Sequence, residues 1–288
     1  MLKNVLTIHE VLDRPDVQGE DVLPLFSRAE VTVKTVTEKG STDFITIKVG
    51  SDSPTLGIIG QLGGIGAAGR TGLVSDAEGA LTALACALQL EKMDVKGSVI
   101  ITTHICNTAP IIPHELVDFM GAPLSVSTMM NHLVDDRMDA ILSVDTTRGN
   151  RIINHKGFAL SPTVKEGYIL RVAESLLDIQ ERVTGKLPVV FPITTQDITP
   201  YSNEVYHLNA IMQPCTRTTA PVVGVAITSE VVVPGCATGA TQLLDVEAAA
   251  RFCLEVVKDY GEGKCTFYDR AEFHTLRKLY GPLNQLQH

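Results

Sequence analysis

Four residues able to bind metal ions or move protons, Asp76, His104, Cys106 and Asp145, stand at a predicted helix start and at the ends of two predicted strands. Strand ends and helix N-termini converge on one edge of an α/β sheet, so residues distant in sequence can meet there. Carboxylate, imidazole and thiolate are the donors that a zinc-like divalent ion takes. Three of the four also have an ordinary structural reading. An aspartate in a first helical turn is stabilised by the helix dipole, Asp145 can cap the Thr-Thr-Arg-Gly turn behind it, and His104 can be a satisfied interior histidine.

Two further groups carry chemical potential. Gly64-Ile65-Gly66-Ala67-Ala68-Gly69 matches GxGxxG after a strand, as a dinucleotide-binding turn would. Thr71, Gly72 and Ser75 delay the following helix, however, and no acidic residue closes a second strand at the expected distance, which favours a conformational role for the glycines. Downstream, TTQDITPYSNEVYH is polar directly after an apolar run and offers Asp197, Tyr201, Asn203 and His207 as substrate contacts. The segment PGCATGA could present backbone N–H groups to an anion, place Cys236 as a nucleophile, or simply make a tight strand-to-helix turn. Cys86 and Cys253 lie in helical apolar patterns and read as core, while His114, His132 and His155 lack ligand spacing.

The elements that must position these residues alternate between strand and helix. VTVKTV and FITIKV alternate in polarity and read as a hairpin after a helical N-terminus. LGIIG, SVIITTH and AILSVD are continuous apolar runs, the pattern of strands covered on both faces. Ser75-Asp76-Ala77-Glu78 has capping-box spacing and opens the helix ALTALACALQL, with Asp76 in its first turn. A second such box, Thr163-Val164-Lys165-Glu166, predicts a long amphipathic helix to about Gly185. PVVFPIT and PVVGVAIT read as strands, and Asp245 begins the helix DVEAAARFCLEVVKDY. The expectation is one α/β domain over 1–288, with a helix and hairpin in 1–50 and a sheet-and-helix core in 51–288. Its mixed, mainly parallel central sheet should carry helices on both faces, a three-layer sandwich.

Composition narrows the partners. A chain of 288 residues, 44% hydrophobic, can bury a sizeable core. A net charge of -9 with dispersed Lys and Arg argues against nucleic acid and anionic membrane as partners. No run is long enough to span a bilayer and the N-terminus lacks signal-peptide character, so a cytoplasmic protein is expected. The six cysteines contain no CxxC and indicate neither a zinc ribbon nor a secreted disulfide framework. VVGVAITSEVVV fits a homo-oligomer interface or a buried strand equally well.

The strings GQLGGIGAAGRTGLVSDAEGA, TTHICNTAP, SVDTTRGNRIINHKGFALSPTVKEGYILRV, TTQDITPYSNEVYHLN and VVGVAITSEVVVPGCATGA resemble the family called "domain of unknown function 1177" over nearly the whole chain. The order of strands and helices is also similar to that of aminopeptidases with two co-catalytic zinc ions, which implies a phosphorylase/hydrolase-like fold. By that resemblance Asp76 falls where a bridging aspartate would, and Asp145 where a further acidic ligand would. Gln61 stands where the first histidine is expected, His104-Ile105-Cys106 replaces a Glu-Glu pair, and Gly235-Cys236 occupies the region of the last histidine.

These departures remove the familiar two-metal site and imply a rebuilt one. In it Asp76, Asp145 and either His104 or Cys106 would hold a divalent metal such as zinc, acting as a Lewis acid on an amide carbonyl. Whichever of His104 and Cys106 is not a ligand would serve in proton transfer or nucleophilic attack. A metal-free version would use Cys106 or Cys236 as nucleophile and His104 as base, with no cofactor. Gln61, Asp197, Tyr201, Asn203 and His207 would contact the substrate. The expected function is hydrolysis of a small amide, peptide-derived or lactam-like substrate. The alternatives are a non-catalytic small-molecule or peptide-binding protein on the same fold and, more remotely, nucleotide binding at the glycine loop.

Overall fold

The computed structural model describes residues 1–61, 65, 72–113, 119–147, 149–193, 208–231 and 241–283. In chain order the elements are α1 (Leu2–Leu12), β1 (Glu30–Thr37), β2 (Ser41–Val49), β3 (Thr55–Gly60), α2 (Glu78–Leu90), β4 (Ser98–Ile105), β5 (Ile111–Ile112), β6 (Phe119–Met120) and α3 (Val126–Leu133). They continue with β7 (Ala140–Thr147), β8 (Gly157–Leu160), β9 (Thr163–Lys165), β10 (Tyr168–Leu170), α4 (Glu174–Thr184), β11 (Val222–Thr228), α5 (Leu243–Gly261) and α6 (Arg270–Tyr280).

One mixed sheet runs β1-β2-β4-β3-β7-β11-β9-β10, with β8 also pairing to β11; β5 and β6 form a small separate pair. The apolar runs LGIIG, SVIITTH, AILSVD and VVGVAIT become its parallel centre, β4-β3-β7-β11. The hairpin β1–β2 extends this centre antiparallel through β2 on β4. Strands buried on both faces need no polar alternation, and every residue of β3 and β11 is buried. The buried VVGVAIT is thus explained as a strand flanked on both sides.

Helices cover both faces. On one, Ile58, Ile101, Leu142 and Val225 pack with α1, α2 and α5. On the other, Ile59, Ile100, Ile141 and Ala226 meet α3 and a 3-10 turn at Ala210–Thr216. Small side chains in ALTALACALQL let α2 sit tightly between sheet and helices, where nearly all its residues are buried. From β3 the chain crosses through α2 to β4, then returns to place β7 on the other flank of β3. Strand order therefore reverses between β3 and β7, and a crevice at the strands' C-terminal ends is where such sheets bind ligands.

Two expectations are corrected. Residues 163–170 form the hairpin β9–β10 rather than the start of a long helix, and α4 begins only at Glu174. Glu166 and Gly167 both have positive φ, 50° and 81°, as a two-residue turn compatible with strand twist requires. Glu166 is held there by Lys165 at 3.2 Å and Arg277 at 2.7 Å. PVVFPIT forms no ladder strand in its described part: Val190 makes a single bridge to Leu160. Pro188 and Pro192, lacking N–H donors, bracket that bridge. Near the other end of the predicted helix, Gly185 does close α4, in the left-handed conformation.

Candidate active site

The crevice is built from strand register. Ile59 pairs with Thr102 and Gly60 with Val144, so the next positions on β3 bring Gln61 beside His104 on one flank and Asp145 on the other. Alternation puts all three side chains on the face covered by α3. On that face His104 lies 6.1 Å from the Phe44 ring, centroid to centroid, and Gln61 reaches Ala210 of the 3-10 turn. The sequence groups His104 and Asp145 with Asp76 as one candidate ligand set and gives Gln61 a substrate contact; the fold sets imidazole, amide and carboxylate in one row across β4, β3 and β7.

Gln61 is buried and its amide is oriented by its neighbours. Its Nε2 donates to Ser143 Oγ and to the Ala210 carbonyl, both at 3.0 Å. A carbonyl only accepts, so the nitrogen must face Ala210, and this fixes Oε1 at the other side of the amide. Gln61 N–H donates to the Val144 carbonyl at 2.8 Å, tying the end of β3 to β7.

Asp145 is 3% exposed, and its Oδ1 accepts the Thr146 N–H at 2.7 Å. Burial pushes its carboxyl well above the ordinary range; the Thr146 N–H opposes this, and the Asp76 charge adds to it. Asp76, half-buried, occupies a 3-10 turn at Ser75–Ala77 immediately before α2, not the α-helix's first turn. Its Oδ2 accepts the Met120 N–H at 3.4 Å. Asp76 and Asp145 thus act electrostatically on each other at the mouth of the crevice.

Burial lowers His104 to about 4, which leaves a neutral imidazole at neutral pH. Cys106 is separated from it in environment. β4 ends at Ile105, and Cys106 packs with Val74, Ala109 and Met120, its Sγ 3.7 Å from Thr108 Oγ1. The Cys106 carbonyl accepts Ile65 N–H at 3.0 Å.

Glu78 is the site residue that sequence reasoning assigned to helix capping. Among the described residues its carboxylate is bonded to partners outside α2. Oε1 accepts the Gln242 N–H at 2.8 Å and Oε2 the Thr146 hydroxyl at 3.3 Å, joining the start of α2 to β7 and α5. Burial raises it to about 8, against those two hydrogen bonds and with the charges of Asp76 and Asp245. Nothing at residues 75–78 alone could reveal a partner 164 residues away.

Two glycines bring α2 down onto the strand ends. A Cβ on Gly79 would lie 2.0 Å from the Gln61 carbonyl oxygen and 2.6 Å from that of Val144. One on Gly60 would lie 2.4 Å from the Gly79 carbonyl oxygen. Only glycine permits this backbone-to-backbone approach, which carries Asp76 and Glu78 to the crevice.

Among the described residues no group of three His, Cys, Asp or Glu side chains gathers as a metal-ligating set. The Asp76 charge acts on Asp145, while His104 is set one strand beyond Gln61. Two carboxylates match an oxygen-liganded divalent cation that keeps water or substrate in its other positions, better than a closed zinc site. Cys236, Asp197, Tyr201, Asn203 and His207 lie outside the described residues, as does the glycine loop apart from Ile65.

A family model described as a protein of unknown function (DUF1177) matches residues 33–288. A comparison with curated protein sequences finds no match. Solved structures similar to this chain include the bottromycin maturation enzyme BotP, 14% identical, with 91% of this chain and 70% of that one covered and a TM-score of 0.58. A cytosol aminopeptidase from Coxiella burnetii is 15% identical over 91% of this chain and 68% of that one, with a TM-score of 0.55. A Zn-dependent exopeptidase from Parabacteroides distasonis is 12% identical over 90% and 96%, with a TM-score of 0.51. At these identities the likeness shows the fold, an aminopeptidase-like α/β sandwich.

Proposed function

We propose that this chain, which belongs to the DUF1177 family, is a hydrolase of small amide, peptide-derived or lactam-like substrates, working in the crevice between the ends of β3 and β7. The observation that carries the reading is the row His104, Gln61, Asp145 on three neighbouring strands, with the charge of Asp76, in the turn before α2, acting on Asp145. Structural neighbours described as aminopeptidase and Zn-dependent exopeptidase, and BotP in complex with Mn, support amide chemistry with a divalent cation.

Asp76 and Asp145 would hold that cation. When bound it would polarise the substrate carbonyl and acidify a water molecule. The chain's own residues do the rest. Gln61, fixed through Ala210 and Ser143, orients the substrate; the neutral His104 imidazole accepts a proton near the crevice rather than adding positive charge to it. Hydrolysis adds the water oxygen to the carbonyl carbon, breaks the C–N bond and returns the water's proton to the departing nitrogen.

The alternative on the same fold is a non-catalytic protein whose strand-end crevice binds a small metabolite or peptide. Turnover separates the two. Untagged protein supplied with Mn²⁺ or Zn²⁺ should hydrolyse a member of a panel of dipeptides, N-acyl amino acids and lactams, read by mass spectrometry. Asp145→Asn should abolish that turnover. Binding of a panel member without any product would favour the non-catalytic protein instead.

A further inference from the structure

We propose that a polar cavity at the end of the sheet away from the crevice binds a small zwitterion, an α-amino acid or short peptide, with Arg270 taking its carboxylate and Asp139 its ammonium group. The cavity, about 330 Å³, opens where the chain enters β7 and β11, beside Ala140 and Pro221. This volume lies at the lower end of the range of small-ligand sites. Asp145 stands five residues beyond Ala140 on β7, roughly 16 Å away at about 3.3 Å per residue, so the cavity is a second site and not an extension of the crevice.

The wall carries both signs of charge, and part of it is already engaged. Lys165 Nζ lies 3.2 Å from Glu166, donates to the Thr219 carbonyl at 2.9 Å and sits 5.5 Å from the centre of the Tyr268 ring. Asp136 pairs with Arg217 at 3.4 Å. Arg270 differs: it lines the cavity from the first turn of α6, is exposed, and stands in no ion pair among the described residues. Asp139 lines the cavity from the residue before β7. Its Oδ2 accepts the Thr55 N–H at 2.8 Å and its own N–H donates to the Thr55 carbonyl at 2.8 Å, which anchors the carboxylate to the start of β3 through one oxygen.

Tyr260, half-buried in the same wall, ties the two charges to one place. Burial raises its hydroxyl to about 12; the Asp139 charge adds to this and the Arg270 charge opposes it. Burial likewise raises Tyr268, again against Arg270. A cation and an anion thus act on the same hydroxyl, and no ion pair joins them. A carboxylate meets a guanidinium through two parallel hydrogen bonds, and an ammonium group donates to a carboxylate, so a molecule carrying both groups satisfies both residues. A simple anion would satisfy Arg270 and set its charge against Asp139; a simple cation would do the reverse.

The test is calorimetric titration of the full chain with the common L-α-amino acids and their glycyl dipeptides. Each ligand that binds is compared with its N-acetyl derivative, which lacks the ammonium charge, and its carboxamide, which lacks the carboxylate. The expected result is saturable binding of at least one member, tighter than about 1 mM, with both blocked forms weaker by roughly tenfold or more. Arg270→Gln removes the cation at an exposed position, and Asp139→Asn keeps an oxygen for the Thr55 N–H; each should weaken the zwitterion by roughly tenfold or more, with the melting temperature retained. Asp145→Asn, toward the other end of β7, should leave this affinity within about twofold of wild type. A blocked form that binds as tightly as its parent overturns the proposal. Zwitterion binding that both Arg270→Gln and Asp139→Asn preserve also overturns it, and its loss in Asp145→Asn would place that binding in the crevice. Absence of saturable binding across the panel overturns it as well, while the hydrolase reading is judged separately by turnover.

Discussion

His104 is the residue whose chemistry is set most plainly by its surroundings. Burial lowers its pKa to about 4 from an ordinary 6.5, so between these values the unfolded chain holds a proton that the folded chain lacks. Stability from keeping it neutral is present above about pH 6.5 and falls as pH drops toward 4, by on the order of 3 kcal/mol. His104→Asn should lose this part of the acid dependence, even if it is less stable at pH 7. Melting temperatures of both proteins from pH 7 to pH 4 check this, and parallel curves would contradict it. The positions of Asp76 and Asp145 were legible because they follow a glycine loop and close a buried apolar run. Glu78 was not, because its spacing from Ser75 imitates a helix cap while its partners are Thr146 and Gln242. That Gln61 and His104 are neighbours was also hidden, since register is a property of paired strands and neither strand states it alone.

At the scale of elements, the approach of α2 to the strand ends depends on glycine. Gly79→Ala would place a methyl 2.0 Å from the Gln61 carbonyl oxygen and should cost about 3 kcal/mol or more, or prevent folding. Gly263→Ala, at φ 73° in open space, should cost only about 1 kcal/mol. Denaturant midpoints of the two variants distinguish them, and equal losses would mean that the close approach is not needed. The other end of α2 anchors the N-terminal segment: Glu91 accepts the backbone N–H groups of Ser27 at 2.6 Å, Arg28, and Ala29 at 2.9 Å. Desolvation opposes ionisation of Glu91, but these bonds outweigh it and lower its pKa. Its contribution is therefore present above the ordinary carboxylate range and lost as pH falls through the lowered value. Glu91→Ala should cost about 1 kcal/mol at pH 7 and less at pH 3, measured by urea unfolding. Strands with continuous apolar runs were legible in the sequence. The β9–β10 hairpin was not, because Thr163 and Glu166 satisfy a helix-start spacing as readily as they flank a turn closed by Gly167.

For the whole molecule, the order of strands and helices was enough to indicate an aminopeptidase-like sandwich, and the nine-stranded sheet among the described residues bears that out. No helix among them is long and apolar enough to cross a membrane. What composition and periodicity could not supply is the reversal of strand order between β3 and β7, which sets residues 61, 104 and 145 side by side. We propose that Asp76 and Asp145 together hold a functional divalent cation at these strand ends. Titration of untagged protein with Mn²⁺ and Zn²⁺, followed by calorimetry and by elemental analysis after dialysis, tests it most directly. Saturable binding in the wild-type chain, weakened at least tenfold in both Asp76→Asn and Asp145→Asn with folding retained, is the predicted result. No saturable binding, or binding that both variants preserve, would contradict it.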